Sequence, residues 1–222
     1  MYEEIRHVAG MRFHYVAELE WSFIPGIAKI VRKYISLFQS ETVRAYLLFQ
    51  LTPEQIDDYH SLLVELYNHF RESDAYISPP ETASPAHITV RYDNVLYKFK
   101  SKKYADSFMV WARSPRDASY LPLTMRKLSS WKHPAMKEIL LRYLDPSWLT
   151  PYDVRLPEDS EKKYFPSLET IERELRFIAI KGLQYYPTPG VQENLRYYLN
   201  TPDKDIQSAI KRSLEKMNQN GK

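Results

Sequence analysis

The chain has 222 residues, 44% hydrophobic and 27% charged, with a formal net charge of +3, a balance that suits a globular protein burying a core in one or two domains. No apolar run approaches the roughly 18 to 20 residues of a membrane span, and residues 1 to 20 carry Glu3, Glu4, Arg6 and His7 where an export signal would place basic and then apolar residues; a cytoplasmic location is expected. Zero cysteines exclude disulfides, thiol catalysis, Cys-ligated zinc and iron–sulfur clusters.

From Met11 to Phe23 every odd position is apolar and the even ones are polar except Val16, the alternation of a strand with one dry face. Pro25 then precedes Ile27, Ile30, Val31, Tyr34, Ile35 and Phe38, whose spacing predicts an amphipathic helix over 25–38. Val43, Ala45, Leu47, Phe49 and Leu51 alternate again, with Tyr46 and Leu48 on the other face, as in a strand covered on both sides. Thr52-Pro53-Glu54-Gln55 reads as a helix start, and the stripe Ile56, Tyr59, Leu62, Leu63, Leu66, Tyr67 and Phe70 carries that helix towards Ser78. Residues 73–86, rich in proline and serine, read as a loop.

His87–Tyr92 and Val95–Lys100 flank Asp93-Asn94 and predict a two-residue hairpin, with Val95, Tyr97 and Phe99 facing the core. A helix from about Lys102 to Arg113 follows, broken by Ser114-Pro115, and residues 114–121 read as a short linker. The first 116 residues are therefore expected to form a small β-α-β-α-β-β-α domain in an α+β fold, with a helical domain over 117–222.

That helical part repeats itself. Met125–Asp145 and Ile180–Asn200 align without a gap at an offset of 55, pairing Leu128 with Leu183, Trp131 with Tyr186, Pro134 with Pro189, Leu140 with Leu195 and Tyr143 with Tyr198. A third helix start at Thr201-Pro202-Asp203 leads Ile206, Ala209, Ile210, Leu214 and Met217 at helical spacing. This pattern resembles HEAT-type repeats, including the HEAT-like units of the phycobilisome-lyase class, over roughly the last 100 residues. The resemblance implies a recognition scaffold, and chromophore attachment in some relatives, for which neither a cysteine nor a pigment-specific motif stands here. Between the matched units, 145–166 holds four prolines, Trp148 and a charged run, and reads as an insertion on one face of the array. Ser167 is read as the cap of the helix that follows, and Gly182 inside that helix as a point of close helix packing.

The chemistry that motifs would announce is missing. The six histidines form no His-Glu-x-x-His box, Glu65 and His69 supply two metal ligands at most, and five glycines make no phosphate loop and no nucleophile elbow. No cofactor and no metal is implied. The polar face of the first strand, with Arg12, His14, Glu18 and Glu20, is the best acid–base cluster on offer, and an enzyme built on it is the third reading.

Charge is uneven along the chain. Residues 1–90 carry 7 basic and 12 acidic side chains, 91–132 carry 10 and 3, and the remainder 14 and 13. The leading expectation is a non-enzymatic protein-recognition scaffold or adaptor, of the kind an immunity or antitoxin-type binder exemplifies, with another protein as partner. It would use the helical array and its insertion, including Trp148. The alternative is nucleic-acid binding through the basic band 91–132, with Lys98, Lys100, Lys102, Lys103, Arg113, Arg116, Arg126, Lys127 and Lys132 on phosphates. The eighteen tyrosines suit either kind of interface. A last expectation is that helix 102–113 caps the array, with Trp111 and Leu128 in one interface.

Overall fold

The computed structural model describes residues 26–37, 44, 47–49, 51, 56–72, 92–156 and 166–220. The chain divides into two compact units, one of Met1–Glu72 with Lys98–Ser101 and one of Ser73–Tyr97 with Lys102–Lys222. Among the described residues there is no strand, and the expected α+β class is corrected to an all-α one. The proposed strand 11–23, the cap at 52–55 and the loop at 73–86 lie outside the described residues.

In the first unit, α1 (Ile27–Tyr34) starts behind Gly26, whose φ of 75° is the left-handed conformation that glycine adopts without a Cβ penalty. It buries Ile30 and Val31, and one 3-10 turn (Ile35–Leu37) adds Ile35. After a second 3-10 turn (Asp57–Tyr59), α2 (His60–Glu72) buries Leu63, Leu66 and Tyr67. Both helices follow the expected stripes. Arg32 pairs with Asp58 at the surface. The second proposed strand fails for a readable reason. Positions 44 and 47–49 are helical, and the buried set Leu47, Leu48 and Leu51 has the i, i+1, i+4 spacing of a helix face, so the adjacent apolar pair marks a 3.6-residue period.

The hairpin is overturned in the same way. Residues 92–96 are helical, and the N–H of Tyr97 donates to the carbonyl of Asp93 at 2.9 Å. Tyr92, Val95, Leu96 and Phe99 are buried at helical intervals, while Tyr97, expected inside, is exposed. Asp93-Asn94 is thus part of a helical turn, where the absent glycine removes the usual stabiliser of a type I′ hairpin.

The second unit is built on packed helices. After a 3-10 turn (Lys102–Tyr104) come α3 (Ala105–Arg113), α4 (Pro115–Tyr120), α5 (Pro122–Ser130) and α6 (Met136–Leu144), then α7 (Leu168–Leu183), α8 (Pro189–Tyr197) with a 3-10 extension (Tyr198–Asn200), and α9 (Lys204–Asn220). The expected linker 114–121 is mostly α4, which Ser114 caps by accepting the N–H of Asp117 at 3.4 Å, with Pro115 in the first turn where its missing N–H costs nothing. Leu121 leaves helical geometry (φ −118°, ψ 50°) in front of Pro122, as a residue preceding proline tends to, so residues 115–130 form two helices where 168–183 form one.

Burial repeats with the sequence. Met125 and Ile180, Leu128 and Leu183, Met136 and Val191, and Leu140 and Leu195 are buried pair by pair, and Trp131 and Tyr186 are both half-buried. A helical array of paired helices is therefore present. Its central member is α7, which packs against α4, α5, α6 and α9. Close approach is enforced at Gly182, where a Cβ would stand 2.7 Å from Ser129 Oγ and 2.8 Å from a Leu140 methyl. Ser167 caps α7 through the N–H of Thr170 at 3.2 Å, as its position announced. Asp203 caps α9, accepting the N–H groups of Asp205 and Ile206 at 2.9 and 3.1 Å, and Arg173 of α7 donates to Asp203 and Asp205 at 2.9 and 2.7 Å.

At the other end, α3 packs against α4, α5 and α6, with Phe108 stacked between Trp111 (5.3 Å) and Trp131 (5.9 Å) and Tyr143 donating its hydroxyl to the carbonyl of Ala112 at 2.7 Å. Trp111 and Leu128 are both fully buried. The expected packing of this helix on the first helices of the array is present.

Candidate functional site

The nine basic residues named from the band 91–132 divide between the two units, with Lys98 and Lys100 in the first. Lys98 is half-buried, donates to the carbonyl of Leu51 at 3.0 Å, and is held below the usual lysine range by burial. Arg116 is only 2% exposed; it donates to the carbonyl of Arg155 at 3.2 Å and lies 5.9 Å from the Tyr120 ring, inside the array where no phosphate reaches it. Lys102, Lys103, Arg113, Arg126 and Lys132 are exposed, Lys103 lying over Tyr104 and Lys132 holding a left-handed φ of 58° in the turn after α5. Lys127 is half-buried over the Tyr97 ring at 4.8 Å and near Trp131 at 6.0 Å, a cation held between two aromatic faces. His133 beside it contacts Asp106 at 3.1 Å.

A second cluster gathers where α6 and α8 end and the insertion begins. The Arg142 guanidinium carbon lies over the Trp148 indole, 3.6 Å from the ring centroid, and the indole N–H donates back to the carbonyl of Arg142 at 3.4 Å. Trp148, chosen from the sequence as an interface marker, is half-buried by this stack. The loop behind it is built, not slack. Pro146, Leu149 and Val154 are buried, and Asp153 closes the turn by accepting the N–H and hydroxyl of Thr150 at 2.8 and 2.7 Å, which hold its carboxyl below the usual range. Residues 157–165 of the insertion lie outside the described residues.

Across from the loop, Tyr197 and Tyr198 meet edge to face at 5.1 Å. Burial, and after it the neighbouring Asp145 carboxylate that the phenol faces, raises Tyr198. Arg176 of α7 donates to the carbonyl of Leu144 at 3.1 Å and ties the end of α6 to the same region. Two aromatic side chains stand out into solvent here, Tyr152 at 91% and Tyr197 at 77% exposed.

Arg142 was not foreseen, yet a signal existed: it occupies the place equivalent to Tyr197 in the 55-residue repeat, and both fall on the exposed side of their helices. The Arg12, His14, Glu18 and Glu20 face lies outside the described residues. Among the described residues, no three His, Asp or Glu side chains gather as metal ligands, and no helix is long and apolar enough to cross a membrane. Set against known proteins, the chain matches no family model, no curated protein and no solved structure.

Proposed function

We propose that the C-terminal array is a protein-recognition scaffold whose contact surface is the Arg142–Trp148 stack with Tyr152 and Tyr197. The single observation carrying this reading is the exposure of two tyrosines, Tyr152 in the same loop as Trp148 and Tyr197 next to the Tyr198 that faces Asp145, together with the arginine–tryptophan stack. Tyrosine, tryptophan and arginine supply most of the binding energy where proteins meet, because they combine large apolar area with a directional polar tip. The built loop supports the reading, since a surface already ordered loses less entropy on association.

Nucleic-acid binding through the basic band has less support. Arg116 is buried, Lys98 is engaged with a backbone carbonyl, and Lys127 is held between rings. The remaining exposed cations would still give a salt-dependent affinity if they met phosphates, with a logarithmic slope of about −0.9 per phosphate contact.

Affinity purification of the full chain from its native host tests the proposal, with the Tyr152→Ala, Tyr197→Ala double variant as control. The reading requires a protein recovered in a stoichiometric complex with the wild-type chain and lost from the double variant. Recovery of nucleic acid in place of protein, or of the same protein with both chains, overturns it.

A further inference from the structure

The loop that carries Trp148 and Tyr152 satisfies its own backbone. The N–H of Leu149 donates to the carbonyl of Pro146 at 2.9 Å, Asp153 to Thr150 at 3.1 Å, Arg155 to Tyr152 at 3.1 Å and Leu156 to Pro151 at 3.0 Å. Apart from the Ser147 N–H on Asp145 at the root of the loop, its polar ties to the array among the described residues all come from two arginines. At one end Arg142 of α6 lies over the Trp148 ring, accepts the indole N–H on its carbonyl and acts electrostatically on Asp153. At the other end Arg116 of α4, 2% exposed, donates from Nη1 to the carbonyl of Arg155 at 3.2 Å. Burial of Pro146, Leu149 and Val154 supplies the apolar hold.

The two ends are stitched to each other. The bonds from Asp153 to Thr150 and from Leu156 to Pro151 join the Trp148 side to the Arg155 side, so neither end can leave the array without pulling on the other. A segment this short cannot offset the entropy of its turns once Leu149 and Val154 come away, and release and local unfolding then coincide. We infer that 146–156 is a cooperative strap that opens and closes on the array as one unit, with Arg116 and Arg142 together setting how much of the time it is closed. The functional consequence rests on the protein-recognition reading. Trp148 and Tyr152 ride on the strap, so opening withdraws both from the contact surface together, and the buried Arg116 governs a surface it does not itself present.

Amide hydrogen exchange of the full chain, followed by NMR, tests the strap with no partner present. In the wild-type chain the N–H groups of Leu149, Asp153, Arg155 and Leu156 should share one opening constant, larger than that of Ala179 in α7. Arg142→Met changes an exposed side chain and should raise the constants of these amides alike, by about threefold, Leu156 at the far end included, while Ala179 keeps its protection. Arg116→Met should do the same from the opposite tie, by about tenfold, Leu149 included, and Arg116→Lys should recover part of the loss because it restores a charged donor.

Wild-type constants that differ between the two ends, an effect of Arg142→Met confined to Leu149 and Asp153, or an effect of Arg116→Met confined to Arg155 and Leu156 would each overturn the strap. If Arg116→Met fails to fold, the wild-type pattern and Arg142→Met decide the matter. The proposed function fails separately: a chain that recovers no protein partner from its host removes the functional consequence and leaves the exchange result standing.

Discussion

The carboxylate of Asp93 closes the N-terminus of α5 thirty residues further along the chain, accepting the N–H of Leu123 at 2.9 Å and both the N–H and the hydroxyl of Thr124, at 2.7 and 2.6 Å. It does from a distance what a cap residue does from the adjacent position, because Leu121, where the local cap would stand, has no side-chain acceptor. Asp93→Ala leaves those donors without a partner in a site where Asp93 is 3% exposed, and should cost about 1 to 3 kcal/mol in urea unfolding.

The same contact sets a pH dependence. Burial pushes the Asp93 carboxyl up from 3.8 to about 6, against the opposing pull of its three hydrogen bonds. A folded-state value above the unfolded one means that the contribution is complete below 3.8 and is lost as the pH rises through about 6. Across that interval the wild-type chain should lose about 3 kcal/mol relative to Asp93→Asn. Paired urea titrations of the two chains across this range check it, and parallel curves would refute it.

Gly182→Ala improves helix propensity by about 1 kcal/mol, yet the new methyl meets Ser129 Oγ at 2.7 Å and Leu140 at 2.8 Å. Overpacking of this kind typically costs 1 to 3 kcal/mol, so the net effect should be destabilising by up to about 2 kcal/mol. A Gly182→Ala chain more stable than wild type in urea would show that α5 and α6 can move aside.

Trp111→Ala should cost about 3 to 5 kcal/mol, the usual range for a buried aromatic, since Trp111 is fully buried and stacked on Phe108. Because α3 packs on α4, α5 and α6, amide exchange should accelerate in α7 as well as in α3. Unchanged protection in α7 would mean that α3 is not the cap of a cooperative array.

How much of this was legible depended on which signal each segment carried. The array was readable because its two units bury the same positions at a fixed offset: Leu128 with Leu183 and Leu140 with Leu195. Gly182 and Ser167 were readable because one permits a contact and the other satisfies a donor. The α+β assignment failed at 47–49 and 92–100, where β-branched and aromatic residues favoured strands locally while the burial of Leu47 with Leu48 and of Val95 with Leu96 follows a helical period. Tertiary packing overrides local preference in such short stretches. At the surface, Trp148 could be picked by its type, but the Arg142 stack depends on a loop geometry that no spacing rule encodes. Arg116 entered the basic band by charge alone, and its burial comes from α4, which the sequence reading took for a linker.

The most direct measurement is crosslinking from the exposed tyrosine itself. A photoreactive amino acid at Tyr197 in the native host should give one stoichiometric protein adduct, which Arg142→Gln weakens, while the same group at Lys211, on the exposed outer side of α9, gives none. Equal adducts from both positions, or none from Tyr197, would contradict a recognition surface at the ends of α6 and α8.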